Sequence, residues 1–248
     1  MSAVGSFKND MWHSLRRSSF RLFRPGKFAR LQSKRLPFDT HRCIFIHIPK
    51  CAGISVGRSL FGENFEAGHP SLKRYQIIFG PKEFNRYFKF TFVRNPFDRL
   101  VSAFFFLKKG GMNPKDKKWA EENLAAHESF DAFVKNWVTP ENIRSARHFI
   151  PQSDYICLGK KRPSVDFIGY YENLEADFQI ISRKLNLNST LAEMNRTPSR
   201  SKDYREYYTD ETRAIVAKVY ADDIQLLGYT FDNANLPDLL AQRDGKAA

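Results

Sequence analysis

The sequence predicts an α/β fold of three layers, a mostly parallel central sheet flanked by helices, and three observations carry that reading. Strand-length apolar runs rich in β-branched and aromatic residues begin near residues 43, 87 and 165. In the first of them, "CIFIHI", the apolarity is nearly continuous, as in a strand buried on both faces. Each is followed by a segment with helical patterning, the order that produces parallel strands joined by helical crossovers.

Taken in order, residues 1–36 form a basic arm, with Lys8, Arg16, Arg17, Arg21, Arg24, Lys27, Arg30, Lys34 and Arg35 against the single acid Asp10. Trp12, Leu15, Phe20, Phe23 and Phe28 interleave with these cations. Such a partly ordered arm fits an anionic membrane surface, an organelle transit peptide or a solvated tail. The first strand is "CIFIHI" at residues 43–48, running into "PKCAGIS" and then "VGRSLFG", a short helix.

The second strand, "YFKFTFVR", ends at Arg94, with Asn95 placed to cap the next helix and Pro96 at its first position. That helix should stop at Gly110 and Gly111, and its Phe104, Phe105 and Phe106 read as core or partner-helix residues, with the lining of an acceptor cleft as the alternative. Ser129 caps "FDAFVKNW", and "VDFIGYYENL" at 165–174 is a third strand feeding "EADFQIISRKL". A last helix starts at Thr209, has Asp210 and Glu211 in its first turn, and ends before Gly228. Residues 112–128 and 193–208 read as long polar loops. The domain proper is set at 37–232 around one core, and 233–248 is a tail with a frayed end.

The formal charge of +13 favours anionic partners, without choosing among nucleotide, nucleic acid, acidic glycan and membrane. Cys43, Cys51 and Cys157 lack paired spacing, so neither a disulfide framework nor a zinc site is expected. No apolar run approaches the roughly 18 residues of a membrane span, and there is no signal-peptide core. A cytoplasmic location is therefore expected, with peripheral membrane contact open to the arm.

The chemistry concentrates at two places. In residues 48–60 a strand, a tight loop and a helix follow one another, so backbone N–H groups and a helix dipole converge on an anion. Gly53 permits close backbone approach, Ser55 offers a hydroxyl and Lys50 a mobile charge. The loop lacks the terminal Gly-Lys-Ser/Thr of an ATP-binding loop. It is no cysteine-phosphatase loop either, because position 57 is glycine and the arginine comes at Arg58. The second place is Arg94, whose planar fork suits a phosphate, with Ser102 on the helix that follows.

"HIPKCAGIS" resembles the 5'-phosphosulfate loop of sulfotransferases that use 3'-phosphoadenosine 5'-phosphosulfate (PAPS), and "FVRNPFDRLVSAF" resembles their 3'-phosphate motif. Similarity continues through "VDFIGYYENLEADF" and "YREYYTDETRAIVAKVYADDIQLLGYTF", covering residues 41–232. The carbohydrate enzymes, both the Golgi type and the heparan sulfate 2-O-sulfotransferase group, are the most similar. The resemblance implies a P-loop-NTPase-like sulfotransferase fold, PAPS as co-substrate and no metal. It places Lys50, Gly53, Ile54 and Ser55 on the 5'-phosphosulfate, with Cys51 and Ala52 adding backbone N–H groups. Arg94 and Ser102 fall on the 3'-phosphate. Cys51 and Ile54 stand where many relatives carry threonine.

For the chemistry, Lys50 is assigned to the leaving oxygen, and a histidine is the usual base for the acceptor hydroxyl. His69, in "GHPSLKRY", resembles the stretch of the 2-O-sulfotransferases that holds their catalytic histidine. His47 reads as a structural residue near the loop, His148 as part of an acceptor cleft and Gln152 as a sugar-hydroxyl ligand. Arg200, Ser201 and Lys202 form a basic segment able to close over a nucleotide or to remain a solvated charge run. The expected activity is sulfuryl transfer to a hydroxyl of a carbohydrate, with no nucleic-acid partner. The alternatives are a phosphotransferase of related fold and a non-catalytic basic module that binds nucleic acid or membrane.

Overall fold

The computed structural model describes residues 35–66, 68–159, 162–192 and 203–245. The basic arm before residue 35 and the segment with Arg200, Ser201 and Lys202 lie outside the described residues. The span read as one body divides into two compact units, each with its own apolar interior.

The first unit comprises the described residues up to Ile48 and those within Ala52–Val93 and Asp154–Glu193. It contains β1 (Cys43–Ile46), β2 (Phe88–Val93) and β3 (Phe167–Tyr170), all parallel, in the order β1-β2-β3. β1 is buried along its whole length, which is why it reads as an unbroken apolar run, and β2 is buried along nearly all of its length with Lys89 and Thr91 included. Phe45 and Phe90 are register partners and stack at 5.0 Å. Thr91, a polar residue of the middle strand, is buried and donates to the Ile46 carbonyl at 2.8 Å, which offsets the desolvation of its hydroxyl.

Helices flank this sheet. Phe38, from the Leu36–His41 helix, meets Phe61 and Tyr75 edge-on at 5.5 and 5.8 Å, joining the Gly53–Phe61 and Leu72–Arg86 helices in one aromatic cluster. Each fully buried ring of this kind contributes about 1.5–3 kcal/mol. No element is expected from the sequence at the Leu72–Arg86 helix, which carries Gly80 and Pro81 in its interior. Gly80, at φ 77°, does break the regular geometry, and helical turns form on both sides of it. β3 joins the Leu174–Lys184 helix through the buried Asp177 carboxylate, which accepts from Tyr170 N at 2.6 Å and Asn173 Nδ2 at 2.8 Å.

The second unit comprises Pro49–Cys51, Arg94–Ser153 and Met194–Ala248, and its described part is helical. Three of its helices start where the sequence places their caps: Pro96–Lys108 after Asn95, Phe130–Trp137 after Ser129, and Asp210–Val219 after Thr209. Each capping side chain accepts a backbone N–H of the first turn. The core gathers Phe104, Phe133, Trp137, Phe149, Val216 and Tyr220, with Phe133 and Trp137 stacked at 5.1 Å.

Several expectations are corrected here. Residues 112–128, read as loop, contain the Pro114–Asn123 helix, which buries no residue fully and so shows no apolar periodicity. The last predicted helix is two, Asp210–Val219 and Ala221–Leu227, parted at Tyr220, whose buried hydroxyl donates to the Phe149 carbonyl at 2.7 Å. In the segment read as a tail, Leu236–Gly245 is helical. No described helix is long and apolar enough to cross a membrane.

Candidate active site

The loop after β1 has an unusual backbone. Lys50 and Ala52 have φ of 70° and 57°, the left-handed region that non-glycine residues seldom enter, at a cost of order 1–3 kcal/mol each. Left-handed residues in such a loop turn successive N–H groups toward one concavity, the geometry of an anion nest. Ala52 is also the N-cap of the Gly53–Phe61 helix, and no side chain caps it. An anion at this helix start would meet uncapped backbone donors and the positive end of the dipole. Ser55 is half-buried and Ile54 is 40% exposed on the first turn.

Within the second unit, Lys50, Cys51 and Arg94 are brought together. Arg94 is buried; its Nε donates to Asp98 Oδ2 at 2.7 Å and its NH1 to the Lys50 carbonyl at 3.1 Å. Asp98 therefore fixes the direction of the guanidinium fork. Ser102, half-buried, lies one turn beyond Asp98 on the same helix, and Arg94, which precedes that helix, is tied to it through Asp98. Burial, then the Arg94 charge, brings the Lys50 ammonium down to about 8, with Cys51 and Asp116 opposing. The Lys50 Nζ rests 3.8 Å from the centroid of the Phe106 ring.

Sequence reasoning missed what holds these groups. Gln152 is fully buried: its Oε1 accepts from Arg94 N at 3.0 Å and from the Cys51 thiol at 3.4 Å, and its Nε2 donates to the Arg94 carbonyl at 2.8 Å. Its assignment as a sugar ligand is corrected, because both ends of the amide are already used. Arg99, also buried, donates to the carbonyls of Pro49 at 3.0 Å and Ile150 at 2.9 Å. Asp223 accepts from the N–H groups of Gln152 and Ser153 at 2.7 and 2.8 Å. Burial raises the Asp223 carboxyl, opposed chiefly by the Ser153 N–H and the Arg99 charge. The Cys51 thiol is directed at Gln152 and the Pro49 carbonyl, away from a role as an anion ligand.

In the first unit His69 Nδ1 lies 2.9 Å from the His47 carbonyl oxygen. A carbonyl only accepts, so Nδ1 carries the hydrogen and the neutral ring has its lone pair on Nε2. The two imidazoles are 4.2 Å apart. Burial, followed by the neighbouring His69, holds His47 well below the usual histidine range, against a Gly68 backbone hydrogen bond. His47 also gives Gly53 a different role: a Cβ at residue 53 would come 1.9 Å from the His47 ring. The glycine makes room for an imidazole. Among the described residues no group of three or more His, Cys, Asp or Glu side chains is assembled to hold a metal.

An uncharacterized protein of Archaeoglobus fulgidus is 35% identical over 113 residues, 45% of this chain and 78% of its own length. Rat carbohydrate sulfotransferase 10 is 23% identical over 235 residues, 77% of this chain. Rat carbohydrate sulfotransferase 11 is 24% identical over 236 residues, 79% of this chain. The chain spans 65% and 66% of the lengths of these two rat relatives. No solved structure gives a significant match. The profile described as "Sulfotransferase family" matches residues 36–230, the span that contains the Lys50 loop, Arg94, Gln152 and Asp223, and the chain belongs to that family.

Proposed function

We propose that this protein transfers a sulfuryl group from PAPS to an acceptor hydroxyl of a carbohydrate. The observation that carries the reading is the fixed, buried Arg94 bonded to the carbonyl of Lys50, which joins two cations at the turn of a left-handed loop. The donor set fits a nucleotide with two separate anionic ends. Lys50, Gly53, Ile54 and Ser55, with the backbone of Cys51 and Ala52, would hold the 5'-phosphosulfate; Arg94 and Ser102 would hold the 3'-phosphate. Bound PAPS supplies the sulfuryl group and the bisphosphate leaving group. Lys50 neutralises charge on the leaving oxygen, and His69 Nε2 takes the hydroxyl proton, with Nδ1 held by the His47 carbonyl. Positioning and electrostatics dominate such a transfer. The carbohydrate acceptor is suggested by the names of the rat relatives.

Calorimetry with 3'-phosphoadenosine 5'-phosphate (PAP) tests the reading. The intact protein is expected to bind it, and Arg94→Ala to weaken binding by about 1.5–3 kcal/mol per lost charge-assisted hydrogen bond. Failure of the intact protein to bind PAP would overturn the proposal. Because Lys50 loses its proton near pH 8, kcat/KM for PAPS is expected to fall as pH rises through about 8. The PAP-bound form, with added negative charge beside the ammonium, should hold its proton to higher pH. A kcat/KM profile flat from pH 7 to 9 would remove Lys50 from the leaving-group role.

A further inference from the structure

Lys50 begins a row of side chains whose other members the transfer step above leaves unused. Its ammonium lies 3.8 Å above the Phe106 ring, that ring is 5.1 Å from the His148 imidazole, and His148 Nε2 is 3.3 Å from Asp116 Oδ1. All four residues belong to the second unit. His148 and Asp116 side chains are only 13% and 15% exposed. The other carboxylate oxygen of Asp116 accepts from Met112 N at 3.2 Å and Asn113 Nδ2 at 2.8 Å, which anchors the acid to the start of the Pro114–Asn123 helix. Gly111 leaves room for it, since a Cβ there would come 2.2 Å from the Asp116 Cβ.

The pairing also sets the state of the imidazole. A carboxylate accepts, so Nε2 of neutral His148 carries the hydrogen and Nδ1 is a bare acceptor, buried and without a hydrogen-bond partner. Such an atom costs about 1–3 kcal/mol, a cost that buttressing Phe106 and orienting Asp116 would offset. Burial lowers the His148 affinity for a proton, Asp116 raises it, and Lys50 and Arg147 lower it, so the ring stays neutral between the acid and the ammonium. The groups acting on Lys50 are Arg94, which disfavours its charge, and Cys51 and Asp116, which favour it; Asp98 is engaged with Arg94.

We propose that Asp116, acting through His148 and Phe106, is a positioning residue for Lys50, keeping the ammonium charged and seated on the Phe106 face until an anion reaches the loop. The consequence for turnover rests on the sulfuryl-transfer reading; the charge and seating of Lys50 do not.

The test reads Lys50 directly. Lysines of the full chain are 13C-dimethylated and titrated by NMR, with Lys50→Met identifying the Lys50 signal. In Asp116→Asn the Lys50 transition is expected to move down by about 0.5–1 pH unit, and the alkaline limb of kcat/KM to move with it. An Asp116 that only supports its helix would lower activity equally at every pH and leave the titration in place; that outcome overturns the proposal. Phe106→Leu provides a second variant if Asp116→Asn does not fold. Removing the ring should raise the rate of acetylation of Lys50 at pH 7 by about threefold or more, as loss of a desolvated cation–π contact of about 0.5–2 kcal/mol predicts. An unchanged labelling rate overturns the seating. If PAP does not bind at all, the functional reading fails while both measurements on Lys50 still decide this one.

Discussion

Lys50→Ala is expected to lower sulfuryl transfer by about 10²–10³-fold, the loss typical of removing a preorganised charge aimed at a developing anion. The same variant should not melt at a lower temperature at pH 7. Burial and Arg94 bring the folded-state pKa of Lys50 from 10.5 to about 8, so below that pH the folded protein holds a charge it disfavours. The sign follows from linkage: between about pH 8 and 10.5 the unfolded chain binds more protons at this lysine, and stability rises with pH through that window. Alanine removes the penalty, so its benefit should be largest near pH 7 and fade by pH 10. Transfer of labelled sulfate and melting at the two pH values measure both halves. Turnover within a few fold of the parent protein would mean that Lys50 does not meet the leaving group.

His69→Ala is expected to lose about 10²–10⁴ in turnover while PAP affinity is retained. The expectation rests on the tautomer. With Nδ1 donating to the His47 carbonyl, the Nε2 lone pair is set by a hydrogen bond within the first unit and does not depend on a bound ligand. His69→Gln is the informative companion, because its amide can keep the bond to the carbonyl but cannot take a proton. Single-turnover rates that fall equally in both variants assign proton transfer to the imidazole; a glutamine variant with parental rates makes the residue a strut.

The parts of this protein that were legible in its sequence are those set by neighbouring residues. Runs rich in aromatic and β-branched residues disclosed β1, β2 and β3, and Asn95, Ser129 and Thr209 marked helix starts because a cap acts within three residues of itself. Arg94 stood out at a strand end, and Lys50 in a loop between strand and helix. Other features were hidden for physical reasons. The Pro114–Asn123 helix has no buried stripe to betray it, and Gly80-Pro81 masks helical turns on both sides. The supports of the site were hidden by distance along the chain: Gln152 meets Arg94 across 58 residues and Asp223 across 71. Polar pairs so far apart leave no periodic trace, and Gln152 looked like a residue for a ligand when its partners are the Arg94 backbone, the Cys51 thiol and Asp223.

Gly53 and His47 share one volume: the ring occupies the space that a methyl group at residue 53 would need. Heritable change at the two positions is therefore ordered. A side chain at 53 is tolerable only in a lineage that has already replaced the imidazole at 47 with something smaller. That replacement alone would open a void under the loop and leave the bare face of Gly53 against it. Either single step passes through a poorer protein, so ordinary drift holds the two residues together. In descendants of this chain they should be kept or lost as a pair, whatever acceptor those descendants come to use.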